Sequence, residues 1–338
     1  MSQSIDPKIA DSCWKDFDEA RYVERSLDGE VASWLDSRVN DRPLLSLVGP
    51  PGVGKSWLLG KLRQAQEKQG RFVALLKASD LLDPTSHEAI KLDLVDRANA
   101  SCRSLSYPTV LLPSLPALIE DLTQRFCSRC PDQRFLVLVD DCDDLASQTE
   151  FDLVQREYLR RFFAGPCVRM VVARRLDLTD YNLRRRNTTL RVGVFEQREA
   201  ESQRESLNQE NWPSLPVECA YRWNHPYINC YLLAVHDNGQ PITTETLTAC
   251  CRSLIERAGL RSPSWRYDGG DHLTELKHIA KTFFAPWTSA EYRAIIGKDF
   301  DITYVRHGLV SVIQSQGVLG PTCEIVDGLR ELLQALPD

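Results

Sequence analysis

The chain has 338 residues, room for two or three domains, and a hydrophobic fraction of 43% that is ordinary for a globular protein. A formal net charge of −6 excludes wholesale coating of nucleic acid, while leaving room for a local basic face. No run approaches the ~20 apolar residues of a membrane span, and the polar, acidic N-terminus is neither a signal nor a transit peptide, so a cytoplasmic location with no membrane partner is the default expectation.

Leu44-Leu45-Ser46-Leu47-Val48 reads as a buried strand, and Lys55 to about Gln69 as a helix with Leu58, Leu59 and Leu62 on its apolar side. Between them, Gly49-Pro50-Pro51-Gly52-Val53-Gly54-Lys55-Ser56 fits the pattern G-x-x-x-x-G-K-[ST] at every fixed position. Glycines let backbone N–H groups curl around a phosphate without a Cβ clash, and the helix N-terminus adds positive potential. In this pattern Lys55 reaches the β- and γ-phosphates and the Ser56 hydroxyl holds Mg²⁺. Trp57, next along, completes the cofactor-binding stretch.

Further strands are expected at Phe72–Leu76, Phe135–Val139, Val168–Ala173 and Thr189–Val194. Helices are expected near 88–104, at 114–127 after the Pro113-Ser114 boundary, and from Phe151 to Phe163. Alternation of this kind implies an α/β fold with a parallel sheet covered on both faces. The Phe135–Val139 run is nearly all apolar and therefore central, and it ends in Asp140-Asp141-Cys142-Asp143-Asp144. Asp140 is the candidate to orient Mg²⁺; Asp141 is the first candidate to polarise an attacking water, with Asp143 or Asp144 next. Carboxylates this close raise one another's pKa unless a cation neutralises them. The fourth strand ends in Arg174-Arg175, and Arg174 is the candidate γ-phosphate sensor, with Arg175 as the fallback.

The eleven cysteines are scattered and read as reduced, partly buried small hydrophobes; Cys127 and Cys130 form a lone CxxC with no second pair at zinc spacing. The segment Arg156 to Arg191 is rich in arginine, including Arg184-Arg185-Arg186 just before the fifth strand. It reads as a solvated helix face, an inter-subunit finger or a phosphate contact for nucleic acid. Residues about 197–258 look all-helical, and 261–270 read as a linker. Residues 271–338 read as helices near 273–284, 288–296 and 301–315, a hairpin through 317–326, and a final helix.

With these residues in view, the chain resembles a STAND-class P-loop NTPase, the class of NACHT and NB-ARC ATPases. Tyr22-Val23-Glu24-Arg25 resembles the F-V-x-R-E lead-in, and Asp140 to Leu145 resembles the NACHT pattern D-G-h-D-E-L. Val171-Val172-Ala173-Arg174 is similar to the strand ending in Thr-Ser-Arg. Asn224-His225-Pro226-Tyr227 resembles the G-x-P turn, whose proline packs against the nucleotide base. The chain departs from the family at Asn224, Ala173 and Asp141, where the family has glycine, a hydroxyl residue and a small residue.

The resemblance implies a nucleotide-binding domain over 21–195 after an N-terminal extension of 1–20, a helical lid over 196–260 and a winged helix over 271–338. It implies that ADP latches a closed form, that ATP favours an open, assembly-competent homo-oligomer, the γ-phosphate and its Mg²⁺ supplying the difference, and that hydrolysis is slow. It adds Arg25 and Pro226 to the cofactor-binding residues and expects effector and sensor as protein partners in trans, in signalling or defence. The alternative is a DNA-associated AAA+ ATPase of the origin-recognition or transposition-regulator type. The helix expected at 301–315 has one arginine and one histidine in its first half, and the wing has no Lys or Arg, so a structural lid is expected over a DNA reader.

Overall fold

The computed structural model describes residues 17, 19, 22–37, 42–108, 114–142, 145, 147–176, 178–206, 225–237, 242–258, 260, 272–300, 303–306, 309–313, 322–326 and 329–336. The chain divides into two compact units. One comprises Ser26–Val48 and Lys55–Val192, and the other Met1–Arg25, Gly49–Gly54 and Gly193–Asp338.

The first unit opens with α1 (Ser26–Asp36), which buries Leu27, Val31 and Leu35 at helical spacing. Then follow β1 (Leu44–Val48), α2 (Lys55–Lys68), β2 (Phe72–Lys77), the short α3 (Ala78–Leu82), α4 (His87–Ser101), α5 (Leu115–Arg129) and β3 (Phe135–Asp140). Ser114 caps α5 as the Pro-Ser boundary predicts, its Oγ accepting from the Ala117 amide at 3.4 Å. α6 begins at Gln148–Val154, passes through a π-helical turn at Gln155–Leu159 and ends at Arg160–Phe162. β4 (Val168–Arg174), α7 (Tyr181–Arg185) and β5 (Asn187–Arg191) complete the unit.

All five strands are parallel, in the order β2-β3-β4-β1-β5. β4 therefore lies between the strand that leads into the glycine-rich loop and the strand that ends in Asp140. The core gathers Phe72, Phe126, Phe135 and Phe162 around the sheet, with Phe72 stacked on Phe135 at 3.8 Å between ring centroids. β5 lies two to three residues before the expected Thr189–Val194. It is an edge strand, so its extent follows its register with Leu44–Val48 and not its own apolar run.

The cysteines correct the sequence reading. Cys102 is bonded to Cys130 and Cys127 to Cys167, so the two CxxC cysteines pair outward with different partners.

In the second unit, α8 (Gln197–Ser206), α9 (Pro226–Asp237), α10 (Thr244–Arg257) and α11 (His272–Thr282) are helical, within the expected helical region. β6 (Trp287–Thr288) leads into α12 (Ser289–Ile296), which Thr288 and Glu291 cap reciprocally. The expected helix at 301–315 is instead α13 (Thr303–Arg306) followed by strand β7 (Val310–Ile313), where β-branched residues favour the pleat. β8 (Thr322–Ile325) sits between β6 and β7 in an antiparallel sheet, and α14 (Leu329–Ala335) follows. A core of Leu254, Leu276, Ile279, Trp287, Tyr292, Ile325 and Leu332 runs through this unit. Asn224, the linker at 261–270, His307 and the hairpin turn at 317–321 lie outside the described residues. Among the described residues, no helix is long and apolar enough to cross a membrane.

Candidate functional site

The C-terminal ends of the parallel strands carry the candidate chemistry of the first unit. Lys55 is the first residue of α2, buried to 7% exposure, and Ser56 follows it. The Ser56 hydroxyl donates to Asp140 Oδ1 at 3.0 Å, joining the head of α2 to the end of β3. Burial, and next the charge of Asp141, pushes the Asp140 carboxyl up to about 6, against the partial relief given by the Asp141 amide, Ser56 and Lys55. A carboxylate so placed favours a bound cation. Among the described residues no group of three or more His, Cys, Asp or Glu side chains can hold a metal alone. Ser56 and Asp140 could hold a Mg²⁺ only together with oxygens from outside the protein, such as those of a phosphate or water.

Asp141 has φ +54°, the left-handed region that favours glycine. The Asp141 carboxylate is held by Lys77 Nζ at 3.2 Å, and its charge raises the Lys77 pKa. Lys77 stands beside Asp140 in the β2–β3 register. Sequence reasoning missed it; a lone charge closing an apolar strand was the available signal. Asp143 and Asp144, the other acids considered, lie outside the described residues.

Arg174 is buried at the end of β4. Its Nε donates to Ser46 Oγ at 3.0 Å, its Nη1 donates to the Leu176 carbonyl, and Ser46 Oγ donates to Asn187 Oδ1 at 2.8 Å. A polar chain thus crosses β4, β1 and β5 through a fully buried serine. Trp57 is half-buried on the first turn of α2, and Arg175 is half-buried just beyond β4. Arg184, Arg185 and Arg186 are exposed, Arg185 over the Tyr181 ring and Arg186 over Phe163.

Gln155, in the π-helical turn, is fully buried and was also missed. Its Oε1 accepts from the amides of Thr179 at 2.9 Å and Asp180 at 3.2 Å, fixing the segment that connects Arg174 to α7.

The second unit holds the glycine-rich stretch Gly49–Gly54. Gly52 (φ +76°) and Gly54 (φ +91°) take conformations that side chains resist. Arg25 donates from Nη1 to the Val53 carbonyl at 2.9 Å and from Nη2 to Gly193 at 2.9 Å and Val194 at 3.1 Å. Glu199 lies 3.5 Å from its Nε, and the guanidinium sits over Phe195. The expected turn packs on the same stretch. Pro226 is buried and opens α9, where its missing N–H costs nothing, and the Tyr227 amide donates to the Gly52 carbonyl at 3.2 Å. A Cβ on Gly52 would meet Tyr227 Cβ at 2.7 Å and His225 Cε1 at 2.8 Å. Arg25 and Pro226 therefore both lie with Gly49–Gly54, while Lys55, Ser56, Asp140, Asp141 and Arg174 share the strand-end edge of the other unit.

Comparison with known proteins agrees with this architecture. Residues 27–172 match the family model described as an AAA ATPase domain. A Lon protease from Metamycoplasma arthritidis is 25% identical over 108 residues, which is 31% of this chain and 13% of that protein. The Walker-type ATPase PABY2304 of Pyrococcus abyssi aligns with a TM-score of 0.61 at 13% identity, covering 94% of this chain and 98% of that one. Cdc6p from Pyrobaculum aerophilum (TM-score 0.44, 14% identity) covers 98% of this chain and 97% of its own. A STAND protein with a tetratricopeptide repeat sensor, PH0952 from Pyrococcus horikoshii (0.37, 12%), covers 94% and 43%. These last two likenesses are too distant to choose between signalling and replication. The parallel five-stranded sheet, the match over residues 27–172 and the fold-level likeness to PABY2304 show an α/β P-loop fold of the AAA+ type.

Proposed function

We propose that the chain is an ATP/ADP-binding switch of STAND type, with slow Mg²⁺-dependent ATP hydrolysis controlling passage from a closed to an assembly-competent form. The observation that carries this reading is the seating of the His225-Pro226-Tyr227 turn on Gly52, closed by the Tyr227 amide bond to the Gly52 carbonyl. A lid turn bonded to the phosphate-binding stretch makes nucleotide affinity depend on lid position, which a latch requires.

On this reading the bound nucleotide supplies the phosphoanhydride and the charge that Lys55 neutralises. Ser56 and Asp140 hold Mg²⁺, Asp141 orients water, and Arg174 answers to the γ-phosphate. Arg25 fixes the loop through the Val53 carbonyl, and Pro226 bears on the base. Residues 196–260 act as the lid and 271–338 as a winged helix, in which the antiparallel β6-β8-β7 sheet supports the assignment. Effector and sensor partners act in trans, within the cytoplasm.

Dissociation of a fluorescent ADP analogue tests the latch. Pro226→Ala, and Tyr227→Pro, which deletes the amide that donates to the Gly52 carbonyl, are expected to speed release about tenfold, the loss of ~1.4 kcal/mol. Unchanged release in both variants would overturn the latch.

A second reading, a DNA-associated AAA+ ATPase, is favoured by one observation, the exposed run Arg184-Arg185-Arg186. It requires DNA affinity that falls steeply with salt and is lost on replacing these three arginines.

A further inference from the structure

The four bonded cysteines lie away from the nucleotide chemistry. Cys167 precedes β4, at the end of the sheet opposite Arg174, and seven residues of strand span roughly 20 Å. Cys102 caps the C-terminus of α4, Cys127 lies in the last turn of α5, and Cys130 caps α5. The Cys167 carbonyl accepts from the Phe135 amide, which starts β3. The two bridges therefore tie both helices of this face to the strand starts.

The surroundings of these sulfurs form a built site. The Cys167 amide donates to Cys127 Sγ at 3.3 Å. Ser104 Oγ lies 3.2 Å from Cys102 Sγ and 3.9 Å from Cys130 Sγ. Hydrogen-bond donors at sulfur stabilise a thiolate, the form that exchanges. Gly165 makes room for the sulfur, since a Cβ there would stand 2.6 Å from Cys127 Sγ. Cys167 is only half-buried, so a small thiol reaches the Cys127–Cys167 bridge first. Cys250 and Cys251 differ: they are completely buried, and desolvation raises both thiols well above the ordinary range.

We propose that Cys102, Cys127, Cys130 and Cys167 form a reversible thiol–disulfide site, oxidised by a low-molecular-weight disulfide of the glutathione class, that staples α4 and α5 to the sheet. Each protein dithiol gives up two electrons and two protons and forms one S–S bond. The small disulfide takes both and leaves as two thiols. Oxidation stabilises the unit by restricting its unfolded chain and leaves the phosphate-binding groups untouched.

The test is thiol counting on the full chain, treated with glutathione disulfide or with a phosphine reductant, then denatured, alkylated and weighed. Seven of the eleven cysteines are expected to alkylate after oxidation and all eleven after reduction, with peptide mapping returning the 102–130 and 127–167 pairs. For bridges closing separations of 28 and 40 residues, the oxidised form should melt higher by on the order of 10 °C per bridge. Gly165→Ala and Cys167→Ser should each lose the 127–167 bridge and keep 102–130. Eleven alkylated cysteines after oxidation, a Cys127–Cys130 pair, stoichiometric zinc in the reduced protein, or equal melting of both forms would each overturn the proposal.

Discussion

Asp140→Asn is expected to stabilise the metal-free, nucleotide-free protein while weakening its hold on Mg²⁺. The Asp140 carboxyl titrates at about 6 against an ordinary value of 3.8, chiefly through burial and then through the charge of Asp141. That difference of ~2 units corresponds to about 3 kcal/mol at 1.36 kcal/mol per unit. The side chain is incompletely buried, and solvent screening reduces this to about 1–2 kcal/mol. In a unit of this size the change raises Tm by roughly 3–6 °C. The sign with pH follows from a raised folded pKa. The favourable protonated form is fully present below about 3.8 and is lost as pH rises through about 6. The gain from asparagine, which still accepts from Ser56, is therefore largest above pH 7, shrinks between pH 6 and 4, and disappears below. Thermal melting in EDTA from pH 4 to 8 measures it. A variant that melts lower than wild type at pH 8, or a gain independent of pH, would refute the reasoning.

Lys55→Ala should abolish nucleotide binding in calorimetry while the melting transition persists; retained nucleotide would remove the phosphate role. Gly52→Ala forces a side chain into φ +76° against Tyr227 and His225. It should cost about 1–2 kcal/mol from backbone strain alone and raise the Kd for ADP at least tenfold; an unchanged Kd counts against the seated turn. Lys77→Ala removes a mostly exposed ion pair, so stability should move by less than about 1 kcal/mol. Freed from Lys77, Asp141 should support a several-fold higher kcat, and an unchanged kcat would take Asp141 out of the water-activating role.

The parts of the site that are local in sequence were legible. The loop announces itself because strand, glycine turn and helix are consecutive, and Asp140 because it closes an apolar strand. What depends on chain separation was not. The Arg174–Ser46 bond joins residues 128 apart, and the Lys77–Asp141 pair exists only because β2 and β3 are neighbours in register. Nothing local states that β4 intrudes between β1 and β3. The helix expected at 301–315 failed at Val310-Ser311-Val312-Ile313, whose alternating β-branched residues already suited a strand. The cysteines misled because composition says nothing of which side chains meet across 28 or 40 residues. Asp141 adds a backbone feature of the same kind: its left-handed conformation is one that no local signal announces for an aspartate.

The most direct test of the switch is to denature the purified protein and identify the released nucleotide by chromatography. The account predicts near-stoichiometric ADP, retained by the wild-type chain and absent from Lys55→Ala. An empty protein that hydrolyses added ATP, faster when DNA is present, would contradict it.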